Sequence, residues 1–260
     1  MKTDIATVGA DIASRSRAIN KPGVYSILPH ANRVMSTLSQ FEGVQTQVLA
    51  TPALGAKFVE HELYIHPNGG SKKAIVEDFE NFFYVLTGDA QLEVDGKPHK
   101  MTRGGFAWLP PSMAFSLANK SEDLSRVLWL RRRYETAEGV AAPGAIIANE
   151  QDVDPIPEDT YVEQHLIPYD DESGFDMAIN RLHFEPGIYF SFIESHIMEH
   201  GLYMEDGRGI YYLNHDYIEV QKDDFIYMAP YCPQSFYATG WELGHYVLYK
   251  DVNRDYTADL

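Results

Sequence analysis

The chain is poor in cysteine, in basic residues and in long apolar runs. A single cysteine, Cys232, among 260 residues leaves no internal disulfide to be made, so nothing points to an oxidising compartment. Lysine and arginine number 21 against 38 aspartates and glutamates, a formal charge of −17, and that field repels nucleic acid and anionic membrane surfaces. No stretch approaches the roughly 20 apolar residues of a membrane span, and Met1 to Arg15 lacks the apolar core of about 7–15 residues that marks a secretory leader. The expectation is a soluble, cytoplasmic protein that works on small molecules or with other protein chains, with no nucleic acid and no membrane.

What the chain does have is β patterning. From about Gln45 onward, short segments rich in β-branched and aromatic residues (FVEHELYIH, NFFYVLTG, AQLEVDGK, GFAWLPPS, RVLWLRRRY) alternate with Gly, Pro, Asn and Asp. Many short strands with frequent turn signals predict an all-β antiparallel sandwich or barrel. An internal repeat organises them. At an ungapped offset of 119 residues, Leu63 falls on Leu182, Pro67 on Pro186, Gly88 on Gly207, Phe106 on Phe225, Pro111 on Pro230 and Ser116 on Ser235. The duplication predicts a first barrel over 45–134, a connector over 135–174 and a second barrel over 175–260, after a turn-rich N-terminal stretch over 1–44 that reads as an arm or short strands. The centre of the connector, AAPGAIIANEQDVDPIPEDTYVEQ, carries three prolines and an acidic cluster, and the connector is expected to be mostly irregular. An exposed arm and many aromatics favour a homo-oligomer.

Ionisable groups crowd into FIESHIMEHG, Phe192 to Gly201, between runs that read as buried strand. Residues two apart on a strand share a face, so Glu194 and His196 are expected to project together into a barrel interior. His200 would face them from the next strand after a turn near Ile197 and Met198, and Gln234 would arrive from a later one. Charges this close are costly to bury unless they are paired or coordinate a metal, which points to a cation. Two imidazoles, one carboxylate and one amide suit Mn, Fe(II) or another first-row divalent ion, and the lack of thiolate argues against a closed structural zinc site. In the first copy the same positions hold Ile75, Glu77, Asn81 and Phe115. No imidazole remains there, so one ion per chain is expected, in the second copy, with the first barrel metal-free. His66, Glu77 and Glu80 read as surface or rim residues. Cys232 reads as a small wall residue, since no basic neighbour in sequence would activate its thiol.

The segments EPGIYFSFIESHIMEHGLYMEDGRG and APYCPQSF resemble the two motifs of the cupin family, whose ordinary pattern has His where Glu194 and Gln234 stand. This resemblance implies two tandem cupin barrels of the double-stranded β-helix (jelly-roll) type. Over about residues 16 to 256, the segments TPALGAKFVEHELYIHPNGG, ENFFYVLTGDAQLEVDGK, LRRRYETAEGVAAPG, SGFDMAINRLHFEPG, FIESHIMEHGLYMEDGRGIYYLN and VLYKDVNRD resemble a bicupin family of purine catabolism, the (S)-ureidoglycine aminohydrolases. The likeness implies Mn²⁺ held by Glu194, His196, His200 and Gln234. It also implies substrate contacts at Glu194, Gln234, Tyr246 and Lys250, with Tyr211 as a further pocket tyrosine. The implied reaction releases ammonia from the α-amino carbon of (S)-ureidoglycine and leaves (S)-ureidoglycolate, within allantoin and allantoate degradation. Tyr246, Leu248 and Lys250 share one strand face, and the Lys250 ammonium suits a substrate carboxylate. Glu194 is the candidate for moving a proton, whether water attacks directly or an imine forms first. Two other readings stay open: an Fe(II) dioxygenase acting on a small acid, and a non-catalytic cupin that binds a small ligand.

Overall fold

Twenty-one strands and three one-turn 3-10 segments form the regular structure of the computed structural model, which describes residues 17–137, 139–168 and 174–251. Among the described residues no helix is long and apolar enough to cross a membrane. The chain opens with β1 (Ile19–Lys21), β2 (Tyr25–Leu28), β3 (Met35–Ser36) and β4 (Phe41–Ala50). There follow β5 (Phe58–Ser71), β6 (Glu80–Thr87), β7 (Ala90–Val94), β8 (Lys97–Met101), β9 (Gly105–Leu109), β10 (Phe115–Ala118) and β11 (Ser125–Arg132). Three short strands come next: β12 (Ile146–Asn149), β13 (Ile156–Pro157) and β14 (Val162–His165). The second half consists of β15 (Met177–Phe184), β16 (His200–Asp206), β17 (Arg208–Leu213), β18 (Asp216–Gln221), β19 (Phe225–Met228), β20 (Gln234–Thr239) and β21 (Gly244–Asp251).

The 119-residue offset holds strand by strand. β5 and β15 begin at Phe58 and Met177, and β11 and β21 begin at Ser125 and Gly244 and end at Arg132 and Asp251. Even the left-handed turn positions coincide: Asp95 (φ 47°) with Asn214 (φ 46°), and Ser112 (φ 65°) with Tyr231 (φ 63°). Asp and Asn enter that region more easily than other side chains do, so the first pair is readable as a hairpin turn. Tyr231 is not, and it is held by its amide, which donates to the His196 carbonyl at 2.7 Å.

The first half forms a ten-stranded sheet whose path runs β12-β9-β6-β11-β5-β10-β7-β8, with β4 on β5 and β3 on β4. The second forms an eight-stranded sheet, β1-β2-β19-β16-β21-β15-β14-β13, with a three-stranded partner, β18-β17-β20. The halves exchange edges. β2, from the chain's beginning, pairs with β19 (Leu28 opposite Phe225), whereas β12, from the middle segment, pairs with β9 (Ala148 opposite Phe106). Phe106 and Phe225 are themselves repeat equivalents, so each half is completed by an equivalent strand drawn from before the other.

Of the two readings of the first 44 residues, short strands describe 17–36, and they are no free arm, because Tyr25 and Ile27 are 1% exposed against the second half. The connector is irregular over most of its described length, but its three short strands within 146–165 pair at sheet edges, where exposed backbone polar groups are satisfied by further pairing. Residues 1–16 and 252–260, which include most of the terminal KDVNRD motif, lie outside the described residues.

Three buried clusters fill the interior. One lies within the first half around Phe83, Phe115 and Trp129, and one within the second around Phe184, Tyr211, Phe236 and Tyr246. The third joins the halves and includes Phe58, Tyr84 and Trp108 with Phe175, Tyr203, Tyr227 and Tyr249. Strand alternation explains the division: on β21, Tyr246 and Leu248 pack in the second-half cluster while Val247 and Tyr249 face the shared one. The seam also carries ion pairs, among them a buried one between Arg33 and Glu62 at 2.8 Å and a half-buried one between Arg126 and Asp223 at 2.7 Å.

Candidate active site

The inner face of the second half encloses a cavity of about 190 Å³, lined by Tyr161, Glu163, Leu182, Phe190, Glu194, His196, Met198, His200, Tyr211, Gln234, Tyr246, Leu248 and Lys250. All seven residues singled out from the sequence as site candidates are among them. Register accounts for five. On β21, Tyr246, Leu248 and Lys250 alternate onto this face, and His200 on β16 lies directly opposite Lys250. Gln234 on β20 lies opposite Leu213, two residues along from Tyr211 opposite Phe236.

Glu194 and His196 arrive differently from expectation. They do not lie on a regular strand: Glu194 forms a single-residue bridge with Gln234, and His196 sits in irregular chain. The Glu194 amide donates to the Gln234 carbonyl (3.0 Å) and the Gln234 amide donates back (2.9 Å). His200 opens β16 beyond Ile197 and Met198. Backbone pairing thus holds two of the polar side chains together without a strand between them.

The polar ends converge. His196 Nε2 lies 3.2 Å from His200 Nε2 and 3.5 Å from the Gln234 side-chain amide, with Glu194 Oε2 at 3.8 Å. The two imidazole planes are nearly perpendicular, at 81°. Burial lowers the basicity of His196, helped by the Lys250 charge, and lowers that of His200 much further, helped by His196 and Lys250. Both rings are therefore neutral near pH 7, with lone pairs available. Burial raises the Glu194 carboxyl, opposed by Lys250. It lowers Lys250, opposed by Glu163 and Glu194. Tyr211 and Tyr246 hydrogen-bond through their hydroxyls, and burial drives both well above the ordinary phenol range.

The donor set fits a divalent cation. Two ring nitrogens each about 2.1 Å from one ion, at near right angles, stand about 3 Å apart, close to the 3.2 Å separation here. Turning the Gln234 amide over presents its oxygen in place of nitrogen. Among the described residues no three His, Cys, Asp or Glu side chains are yet drawn close enough to hold an ion as they stand. Glu194, half-exposed, stands back from the imidazoles, and the fourth donor is an amide. Closing the set requires the Glu194 carboxylate to move toward the imidazoles and the Gln234 amide to turn over.

Glu163 and Tyr161 were not anticipated. They come from β14 and the residue before it, inside the segment read as connector. The signal available was the alternation at its end, where Tyr161, Glu163 and His165 fall on one side. Tyr161 packs flat on Phe184 and edge-on to Phe190 at the cavity wall. Cys232 is buried near this core and burial pushes its thiol up to about 11, so it carries no thiolate.

The equivalent space in the first half is filled. Trp129 occupies the Leu248 position, stacks on Phe83 and meets Phe115 edge-on, and its indole N–H donates to Asn81, the equivalent of His200, at 2.8 Å. Glu77 meets Arg131 at 3.4 Å. His66 is exposed. Glu80 is not the rim residue expected: it is fully buried, accepting from Trp108 Nε1 at 2.8 Å and lying 3.6 Å from Arg132. A carboxyl on the shared face of β6, which burial raises well above the ordinary range, is legible in sequence only once the opposite half is known to cover it.

Comparison with known proteins agrees with this picture. A cupin-domain family model matches residues 61–131, in the half without the polar cluster. The (S)-ureidoglycine aminohydrolase of Escherichia coli strain K12 is 34% identical over 243 residues, covering 92% of this chain and 93% of that protein. A crystal structure of an E. coli protein superposes with a TM-score of 0.83 at 33% identity, covering 95% of this chain and 99% of the other. More distantly, the oxalate decarboxylase of Bacillus subtilis, a protein with Mn(II) centres, superposes at a TM-score of 0.71 with 8% identity, covering 95% of this chain and 85% of that one. At that identity the likeness concerns the fold alone.

Proposed function

Since the chain belongs to the (S)-ureidoglycine aminohydrolase family and is a hydrolase of that family, we propose that it uses one Mn²⁺ to release ammonia from (S)-ureidoglycine, leaving (S)-ureidoglycolate in purine catabolism. The observation that carries this reading is the convergence of two imidazoles, a carboxylate and an amide beside a half-buried lysine in one small cavity. Glu194, His196, His200 and Gln234 would hold the ion. When bound, it supplies Lewis acidity and a template for the polar substituents of the substrate carbon.

The remaining steps belong to the side chains. Lys250, on the cavity face beside His200, pairs with the substrate carboxylate through a charge-assisted hydrogen bond. The Tyr211 and Tyr246 pair lines the same cavity. Leu182, Phe190, Met198 and Leu248 exclude bulk water, which strengthens the polar contacts inside. In the net reaction the C–N bond to the amine breaks, a C–O bond from water forms, and the departing nitrogen takes up a proton. Glu194, whose carboxyl burial makes a better proton holder, moves that proton, and it is needed on both the direct and the imine route.

We read the architecture as two tandem cupin barrels, over 45–134 and 175–260, the first without metal, since strand boundaries, bridges and turn conformations repeat at 119 residues while the polar cluster does not. A cytoplasmic homo-oligomer is part of the same reading. Tyr189, Phe192, Ile193 and Tyr231, each more than half exposed beside the segment that covers the cavity, are a surface that a second copy would cover.

The decisive assay generates the unstable substrate in situ from allantoate with an amidohydrolase and follows ammonia release and product chirality with and without added Mn²⁺. Metal-dependent ammonia release with an (S) product is expected. Oxygen uptake, or ligand binding without turnover, would replace the proposal with an oxygenase or a binding protein.

A further inference from the structure

Glu163 is the one acidic cavity residue outside the cation-binding cluster. Its placement follows from register. Glu163 lies opposite Leu182, which lies opposite Tyr246, whereas Lys250 lies opposite Ala178 and His200. Glu163 and Lys250 are thus on the same sheet face, two strand spacings (about 10 Å) and four residues (about 13 Å) apart along the strands. Both side chains line one cavity, from strands two apart. The carboxylate is fixed in place: the Asn180 side-chain amide donates to Oε1, and His165 Nε2 lies 3.5 Å from the same oxygen. Its side chain is only 12% exposed, an expensive position for a carboxylate unless it meets hydrogen-bond donors.

The substrate of the proposed reaction supplies such donors. A ureido group carries three N–H bonds and an amine two or three more, whereas the cavity holds few acceptors. Once Glu194 and Gln234 are committed to a cation, Glu163 is the carboxylate left to accept them, on a strand two removed from that of Lys250. Negative charge there also repels a second carboxylate.

Resting on that functional reading, we infer that Glu163 is a specificity-determining residue that accepts hydrogen bonds from the nitrogen-bearing end of the substrate and excludes dicarboxylic acids of similar length. Substrate is thereby oriented with its carboxylate at Lys250 and its ureido group at Glu163. Asn180 is a positioning residue for that carboxylate.

The test compares wild type with Glu163→Gln, which keeps an oxygen for Asn180 and so should fold, and with Glu163→Asp. Calorimetry on the Mn²⁺-loaded protein measures binding of N-carbamoylglycine, a stable ureido acid, and of succinate. In Glu163→Gln, N-carbamoylglycine should weaken about tenfold or more while succinate tightens. KM for the in situ substrate should rise more than kcat falls, and Glu163→Asp should recover part of the discrimination. Parallel weakening of both ligands, or no change in either, would overturn the inference. If wild type neither releases ammonia nor binds N-carbamoylglycine, the functional reading itself fails, an outcome distinct from a wild type that does both and a Glu163→Gln variant that matches it.

Discussion

Glu194 and Gln234 face each other across a single-residue β-bridge, and 119 residues earlier Ile75 and Phe115 form the same bridge. In each pair both amides donate to the opposite carbonyl, at 3.0 and 2.9 Å for Glu194 and Gln234 and at 2.7 and 3.0 Å for Ile75 and Phe115. The backbone is a constant of the fold, and what differs is the side chains it presents: a carboxylate and an amide in one half, two apolar groups in the other.

Removing either imidazole should separate metal from fold. His200→Ala or His196→Ala is expected to lose bound Mn²⁺ and to drop ammonia release by at least about 100-fold, while the melting midpoint of the metal-free protein moves by only a few degrees. Buried apolar area, not the ion, supplies most of the stability. Elemental analysis after gel filtration checks the first point, and a variant that keeps its metal would remove that histidine from the ligand set.

Lys250→Met keeps the aliphatic stem and deletes a charge-assisted hydrogen bond of about 1.5–3 kcal/mol. A fall in kcat/KM of at least about tenfold follows, at unchanged metal content. Lys250→Arg should recover only part, since a planar guanidinium reaches differently from an ammonium. Wild-type kinetics in Lys250→Met would leave the substrate carboxylate to other groups.

Leu248→Trp places in the second half the residue that fills the first. The indole should occupy the cavity as Trp129 does, abolish N-carbamoylglycine binding in calorimetry, and cost about 1–3 kcal/mol through overpacking. Retained binding would show that the ligand lies elsewhere.

Glu60 sits on the shared face, fully buried, with Oε2 unpartnered among the described contacts, and burial pushes its carboxyl up to about 8. A raised folded-state value means that the stability this group contributes is complete below about pH 4.5 and is lost as pH rises toward 8. Within that window the loss is up to about 1.4 kcal/mol per pH unit. Glu60→Gln removes the titration, so its advantage over wild type in thermal melts should grow from pH 5 to pH 8 and then level off. An equal difference at all pH values would show that Glu60 titrates normally.

The sequence by itself determined the duplication, because strands and turns leave local signatures. Alternating apolar residues, Gly88 with Gly207 and Asp95 with Asn214 mark the same strand ends at the same spacing. It also brought Tyr246 and Lys250 onto one face, since a period of two is a property of the strand and needs no partner. Only the tertiary structure decided the exchange of β2 and β12 between halves, because backbone pairing at a sheet edge is made by amides and carbonyls that every residue carries. The same holds for Glu194 and His196, brought to the cavity by one bridge in place of a strand. Glu80 and Glu163 show the limit most directly. Each is an acid in a short segment, and whether it faces solvent, the seam between halves or a cavity depends on which distant strand covers it.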